Sequence, residues 1–241
     1  MQDFKYYAPT EVVFGKDAEE HLVEMINKYG GKKVLVHYGG HSAERSGLLA
    51  SVREKLNAAG IAFVELGGVK PNPRLTLVHE GIELCRKENV DFILAVGGGS
   101  VIDSSKAIGY GVKYDGDVWD IYARKYVPTE MLPVGVILTI PAAGSEMSDS
   151  SVITKEDGDL KIGYSNNICR PKFAIMNPVR TFTLPPYQTA CGATDIMMHT
   201  MERYFGKVDD MTLIDNIAEA LMRTVKDSVF HVLKNPEDYR N

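Results

Sequence analysis

Two short stretches hold residue types that can do chemistry at a fixed spacing. In GATDIMMHTMERY, residues 192–204, Asp195 and His199 stand four apart on a helix-patterned stretch, which sets both on one face about 5–6 Å apart. A carboxylate oxygen and an imidazole nitrogen at that separation suit a shared iron, zinc or manganese ion, since imidazole turns preference away from magnesium and calcium. On spacing alone, a solvated pair bonded along the helix accounts for them too, and two donors do not complete a site. The second stretch is GGGSVID, residues 97–103. It follows a strand pattern and opens a helix, so the glycines allow close approach while unpaired N–H groups and the helix dipole favour an anion such as a pyrophosphate. A tight turn, with Ser100 capping and Asp103 complementing the dipole, is the plainer alternative. The spacing matches neither GxGxxG nor the GK[ST] ending of a P-loop.

The elements that must position these residues are legible as a pattern. Lys33 to His37 is a β-branched run ending at Tyr38-Gly39-Gly40, followed by a helical pattern through Leu48, Leu49, Val52 and Leu56. Ile61 to Leu66 predicts a second strand, and after the turn Pro71-Asn72-Pro73 a helix carries Leu77, Ile82 and Leu84. Val90 to Val96 is apolar almost throughout and runs into the triple glycine, as expected of a strand buried on both faces. Strands separated by helices imply parallel βαβ units and a doubly wound sheet. Leu132 to Thr139 predicts another core strand, Val152–Thr154 and Lys161–Tyr164 a small hairpin, and Phe173 to Met176 a last strand.

From Pro186 onward the signal is helical, over roughly Pro186 to Phe205 and Met211 to Leu233. Prolines 178, 185 and 186 mark the change, so the expected division is an α/β domain over 1–185 and the beginning of an all-helical domain over 186–241. Asn235-Pro236-Glu237-Asp238 reads as the start of a further helix.

Composition narrows the function classes. With 44% hydrophobic and 24% charged residues the chain can bury a sizeable core. A net charge of −5, with both signs interspersed, provides no positive field for nucleic acid. Cys85, Cys169 and Cys191 are too scattered for a disulfide framework or a CxxC motif, which fits a reducing compartment. No stretch has the length and apolarity of a membrane span, and the N-terminus is not patterned as a signal peptide, so the expected location is the cytoplasm, without membrane or nucleic-acid partners.

In order and context, GGGSVIDSSKA, TIPAAGSEMS and GATDIMMHTMERY resemble the iron-containing, group III alcohol dehydrogenases. The opening Tyr7-Ala-Pro-Thr10 through Val13-Phe14-Gly15, and Asn177-Pro178 to Leu184-Pro185-Pro186, share the resemblance, which is strongest to the butanol dehydrogenase and broad aldehyde reductase branch. GATDIMMH and SEMS favour that family over glycerol dehydrogenases and dehydroquinate synthases.

The resemblance implies a dehydroquinate synthase-like architecture: a parallel-sheet dinucleotide domain, then the first helices of an all-α domain, with metal and nicotinamide meeting between them. It implies that Gly97, Gly98 and Ser100 hold the pyrophosphate, that Asp103 fixes polar groups of the cofactor, and that Thr139 and Ser145 line the same site. Asn72 would lie by the adenosine half and Lys161 near the nicotinamide ribose, a solvated hairpin lysine being the plainer alternative. Asp195 and His199 would supply half of the ligands for a divalent metal, ferrous iron first and zinc second. The family's other two ligands are histidines on later helices. His21, His37, His41, His79 and His231 match no such motif and are expected at the surface or in packing.

NAD-specific relatives often place an acidic residue at the turn that here reads Tyr38-Gly39-Gly40-His41-Ser42. Without a carboxylate, Gly39 and Ser42, with Arg45 nearby, favour NADP over NAD. The implied reaction is metal-assisted hydride transfer between primary alcohols and aldehydes, in a protein expected to form a homo-oligomer, most simply a dimer. Two features run against full activity: Ala143 stands where the family usually has threonine, and relatives extend well past residue 241. The alternative is therefore a nucleotide-binding module that lacks half of its metal ligands and does not catalyse.

Overall fold

A computed structural model describes residues 3, 5–206 and 211–240. In chain order the elements are β1 (Glu11–Phe14), α1 (Leu22–Lys28), β2 (Lys33–Tyr38), α2 (Ser42–Arg45), α3 (Leu48–Ala58), β3 (Ala62–Leu66), α4 (Leu75–Glu88), β4 (Phe92–Gly97), α5 (Gly99–Val112), α6 (Trp119–Tyr122), β5 (Val134–Leu138), β6 (Ser150–Lys155), β7 (Leu160–Ser165), β8 (Phe173–Met176), α7 (Pro186–Tyr204) and α8 (Thr212–Lys234), with short 3-10 turns between some of them.

Six strands form one sheet in the order β1-β8-β5-β4-β2-β3, and every neighbouring pair is parallel. Alternate side chains leave opposite faces of a strand, and here both faces are covered. Leu35, Ile93, Ala95, Val134 and Val136 pack with Val78, Ile82, Ile102 and Ile108 of α4 and α5. Val34, Val36, Phe92, Leu94, Val96 and Ile137 pack with Leu22, Ile26, Leu49, Val52 and Leu56 of α1 and α3. Every residue of β4 is buried, which explains why its sequence is apolar without alternation. Gly135 makes room at the centre: a β-carbon there would lie 2.3 Å from Cζ of Phe173, whose ring stacks on Phe92 at 5.8 Å.

The predicted strands are present within a residue or two of the expected limits, and β6 and β7 form the expected antiparallel hairpin. One strand lay outside the expectation. β1, Glu11–Phe14, pairs with β8 at the sheet edge. Residues 235–240, after α8, turn, with Asp238 N–H donating to Asn235 O.

The described residues fall into two compact units. One comprises Ala8–Thr139 with Gly144–Asn177, and the other centres on α7 and α8 and includes Ile140–Ala143. In the helical unit α7 packs on α8, joined by Tyr204 Oη donating to Glu219 Oε1 at 3.0 Å. A face with Leu213, Ile214, Ile217 and Leu221 stays exposed. No helix among the described residues is long and apolar enough to cross a membrane.

Candidate dinucleotide site and metal pair

Strand order decides where a ligand fits. The chain runs from β2 outward to β3, then returns past β2 to β4 and β5, so the order reverses between β2 and β4. In an open parallel sheet the carboxyl ends of the strands flanking such a reversal form a crevice. Tyr38 pairs with Val96 there and Gly97 with Leu138, which brings the turn at Gly39, the triple glycine and Thr139 to neighbouring strand ends. Gly39 stands near the first turn of α5; a β-carbon on it would lie 3.7 Å from Val101 Cγ2.

Gly97 ends β4 and is buried, whereas Gly98, Gly99 and Ser100 open to solvent in part. Gly98 caps α5 in an extended conformation, and no side chain bonds to the cap. The opening amides of any helix have no partner within it, so those of Gly99 and Ser100 are presented where the strand ends. Ser100 therefore does not cap the helix, contrary to the plainer reading of this turn. Gly97 allows the tight bend: a β-carbon would come 2.5 Å from Val101 Cγ2. No charged side chain stands in the first turn of α5, so the dipole is left for an anion.

Asp103, one turn further along, is already engaged by protein. Its Oδ1 accepts from Ser145 Oγ at 2.6 Å and its Oδ2 from the Val152 amide at 3.0 Å. Burial pushes its pKa up, opposed by the Ser145 hydrogen bond, the Lys106 charge, the Val152 amide and the Lys161 charge. Asp103 thus ties α5 to the segment after β5 and to the hairpin. Lys161, opposite Thr154 in that hairpin, is exposed. Asn72 is exposed at the Pro71–Pro73 turn with φ of 58°, a left-handed conformation that asparagine tolerates; Pro73 O accepts from Thr154 N–H at 2.9 Å, so this turn adjoins β6. Ser42 begins α2 and is exposed. Glu44, two residues on, is held by Arg53, which also forks onto Glu65.

Two buried groups were not singled out by the sequence. Lys106 is fully buried, and its Nζ donates to Ser145 O at 2.8 Å, Ser148 O at 3.0 Å and Ser150 O at 2.7 Å, with the hydroxyls of Ser145 and Ser148 each at 3.2 Å. Burial pulls the ammonium pKa down, while Cys169, Asp103, Glu146 and Asp149 work against it. Its signal was a lysine in a helix buried almost all round, where only a fully bonded cation survives. His37, at the carboxyl end of β2, is also buried. Its Nδ1 lies 2.7 Å from Leu66 O, and because a carbonyl only accepts, Nδ1 carries the hydrogen. Nε2 then accepts from Ser104 Oγ at 2.9 Å. Burial lowers its pKa to about 4, opposed by the bond to Leu66.

In the helical unit, Asp195 and His199 share a face of α7, with His199 Nε2 3.7 Å from Asp195 Oδ1. The other ring nitrogen, Nδ1, lies 3.5 Å from Glu202 Oε2. Both side chains are about half exposed, so one imidazole nitrogen and one carboxylate can meet a divalent ion from the same side. Beside them Tyr187, Ala190, Cys191, Thr194 and Met198 line a shallow depression. The pair fits a shared ion as two donors. Among the described residues no group of three or more metal-binding side chains occurs.

Comparison with known proteins identifies relatives of the chain. Residues 9–178 match the family model for iron-containing alcohol dehydrogenases. The chain is 46% identical over 239 residues to a probable NADH-dependent butanol dehydrogenase of Bacillus subtilis, covering 99% of this chain and 62% of that protein. It is 37% identical over 244 residues to an NADPH-dependent aldehyde reductase of Escherichia coli, covering 99% and 62%. The crystal structure of an NADH-dependent butanol dehydrogenase from Thermotoga maritima superposes with a TM-score of 0.95 at 41% identity, over 100% of this chain and 60% of the other. The chain thus spans about three fifths of the length of these relatives.

Proposed function

Because the chain belongs to the iron-containing alcohol dehydrogenase family, we propose that it supplies the dinucleotide site and two metal donors of an oxidoreductase that interconverts primary alcohols and aldehydes with NAD(P). One observation carries the reading: bare amides at Gly99 and Ser100 begin a helix where the strand order of a parallel sheet reverses, an arrangement suited to a pyrophosphate. The amides bind and orient the cofactor, Gly97 and Gly98 let it approach, and Asp103 holds the surrounding loop and hairpin. Asp195 and His199 would hold the ion, iron first and zinc second. When bound, such an ion supplies Lewis acidity at the substrate oxygen. His199 has its Nε2 on the Asp195 side, at 3.7 Å, while Nδ1 lies 3.5 Å from Glu202.

NADP is the cofactor proposed, with NAD as the alternative. The turn from Gly39 to Ser42 has no carboxylate, and the nearby Glu44 is paired with Arg53. The Bacillus and Thermotoga relatives bear names that specify NADH and the Escherichia one NADPH, so titration of the chain with both cofactors decides. Reduction of a short aldehyde, with and without added ferrous iron or zinc, tests the reaction. A second reading, binding without turnover, is supported by the two-donor metal pair; cofactor binding with no metal-stimulated activity would establish it. Failure to bind either nucleotide overturns both readings. The assembly proposed is a homodimer, which sedimentation tests.

A further inference from the structure

We propose that Lys106 is a positioning residue for the dinucleotide site: from inside the fold its ammonium holds the Ser145–Ser150 loop against α5, and Arg170 holds the same loop from outside. The proposal rests on the dinucleotide reading above. An ammonium has three N–H donors, and three main-chain carbonyls, of Ser145, Ser148 and Ser150, meet it at 2.7–3.0 Å. These bonds fix the path of the backbone, since carbonyls cannot turn away without moving the chain. Ser145 links the clamp to the cradle. Its hydroxyl donates to Asp103 and lies 3.2 Å from Lys106 Nζ, and Asp103 is one helical turn from Ser100 on the same face. On the outer side, Arg170 Nη1 donates to Met147 O at 2.7 Å and Nη2 lies 3.4 Å from Asp149 Oδ2. The loop is therefore gripped by two cations through main-chain oxygens, whatever its own side chains do.

A lysine needed only for folding would change global stability and leave the affinity of the folded protein alone. A positioning lysine changes affinity and local order together. The test uses the whole chain and its Lys106→Met and Arg170→Ala variants, with NADH and NADPH titrated by nucleotide fluorescence and amide hydrogen exchange followed by mass spectrometry. Lys106→Met is expected to weaken nucleotide binding about tenfold or more, as loss of a charged hydrogen-bonding group does. Exchange over residues 145–150 should speed up by about a hundredfold while Phe92–Gly97 keeps its protection. Arg170→Ala, at the surface, should weaken binding about threefold; it decides the matter if Lys106→Met does not fold. Wild-type affinity in Arg170→Ala and in any folded Lys106→Met, with the loop loosened, overturns the proposal and leaves the dinucleotide reading standing. No nucleotide binding by the wild type overturns both.

Discussion

Acid should loosen the parallel-sheet unit through one histidine. His37 is neutral in the fold because its ring is buried between β2, the end of β3 and α5, and its pKa falls from 6.5 to about 4. The unfolded chain therefore takes up this proton before the folded one. The contribution is whole above pH 6.5, declines as the pH falls, and is gone at about pH 4. At 1.36 kcal/mol per unit the shift amounts to about 3 kcal/mol, a large part of the 5–15 kcal/mol typical of a folded domain. His37→Gln keeps a donor for Leu66 O and an acceptor for Ser104 but removes the titration.

The assay is urea unfolding across that range, followed by fluorescence of Trp119, the sole tryptophan, which is buried in the same unit. Carboxylates contribute to both proteins alike, so the difference between the two profiles isolates the imidazole. Wild type should lose about 3 kcal/mol more than His37→Gln on passing from pH 6.5 to 4. Profiles that stay parallel to within about 0.5 kcal/mol would refute the reasoning: the ring would then be solvated, or already charged in the fold.

Three further outcomes are expected. Gly97→Ala places a methyl 2.5 Å from Val101 Cγ2, so the first turn of α5 must shift and calorimetric affinity for NADH or NADPH should fall about tenfold, or 1.4 kcal/mol; unchanged affinity would separate this bend from the nucleotide. Asp195→Ala and His199→Ala should each weaken zinc binding, measured by competition with a chromogenic chelator, by about tenfold or more, whereas equal affinity in either variant would show that the pair does not share an ion. Gly135→Ala drives a methyl into the Phe173 ring, 2.3 Å away, and should cost about 1–3 kcal/mol in urea unfolding; a smaller loss would mean that the ring moves aside freely.

Legibility in the sequence followed how burial writes itself into residue choice. β4 and β5 could be seen because both faces are covered and the runs are apolar throughout, and β2 because Val34, Leu35 and Val36 form a buried apolar run. β1 could not: its four residues alternate between partly buried and exposed at the sheet edge, and so short an alternation carries little signal. α7 and α8 were placed within a residue or so because they are long.

The binding site divides in the same way. Chemistry done by the backbone shows in the sequence, since only glycine permits the bend at Gly97. Chemistry that depends on a hidden side chain does not, because a pattern cannot say what meets it. Asp103, Ser104 and Lys106, within four positions on α5, fasten that helix to the loop before β6 and the hairpin and to His37 of β2. Amides bind an anion well only when their direction is already fixed, since ordering them at the moment of binding would cost affinity. Polar anchors buried just behind a bare helix start are therefore what the cradle requires, and the cost of burying a lysine and a histidine is offset there by the bonds that hold α5 still.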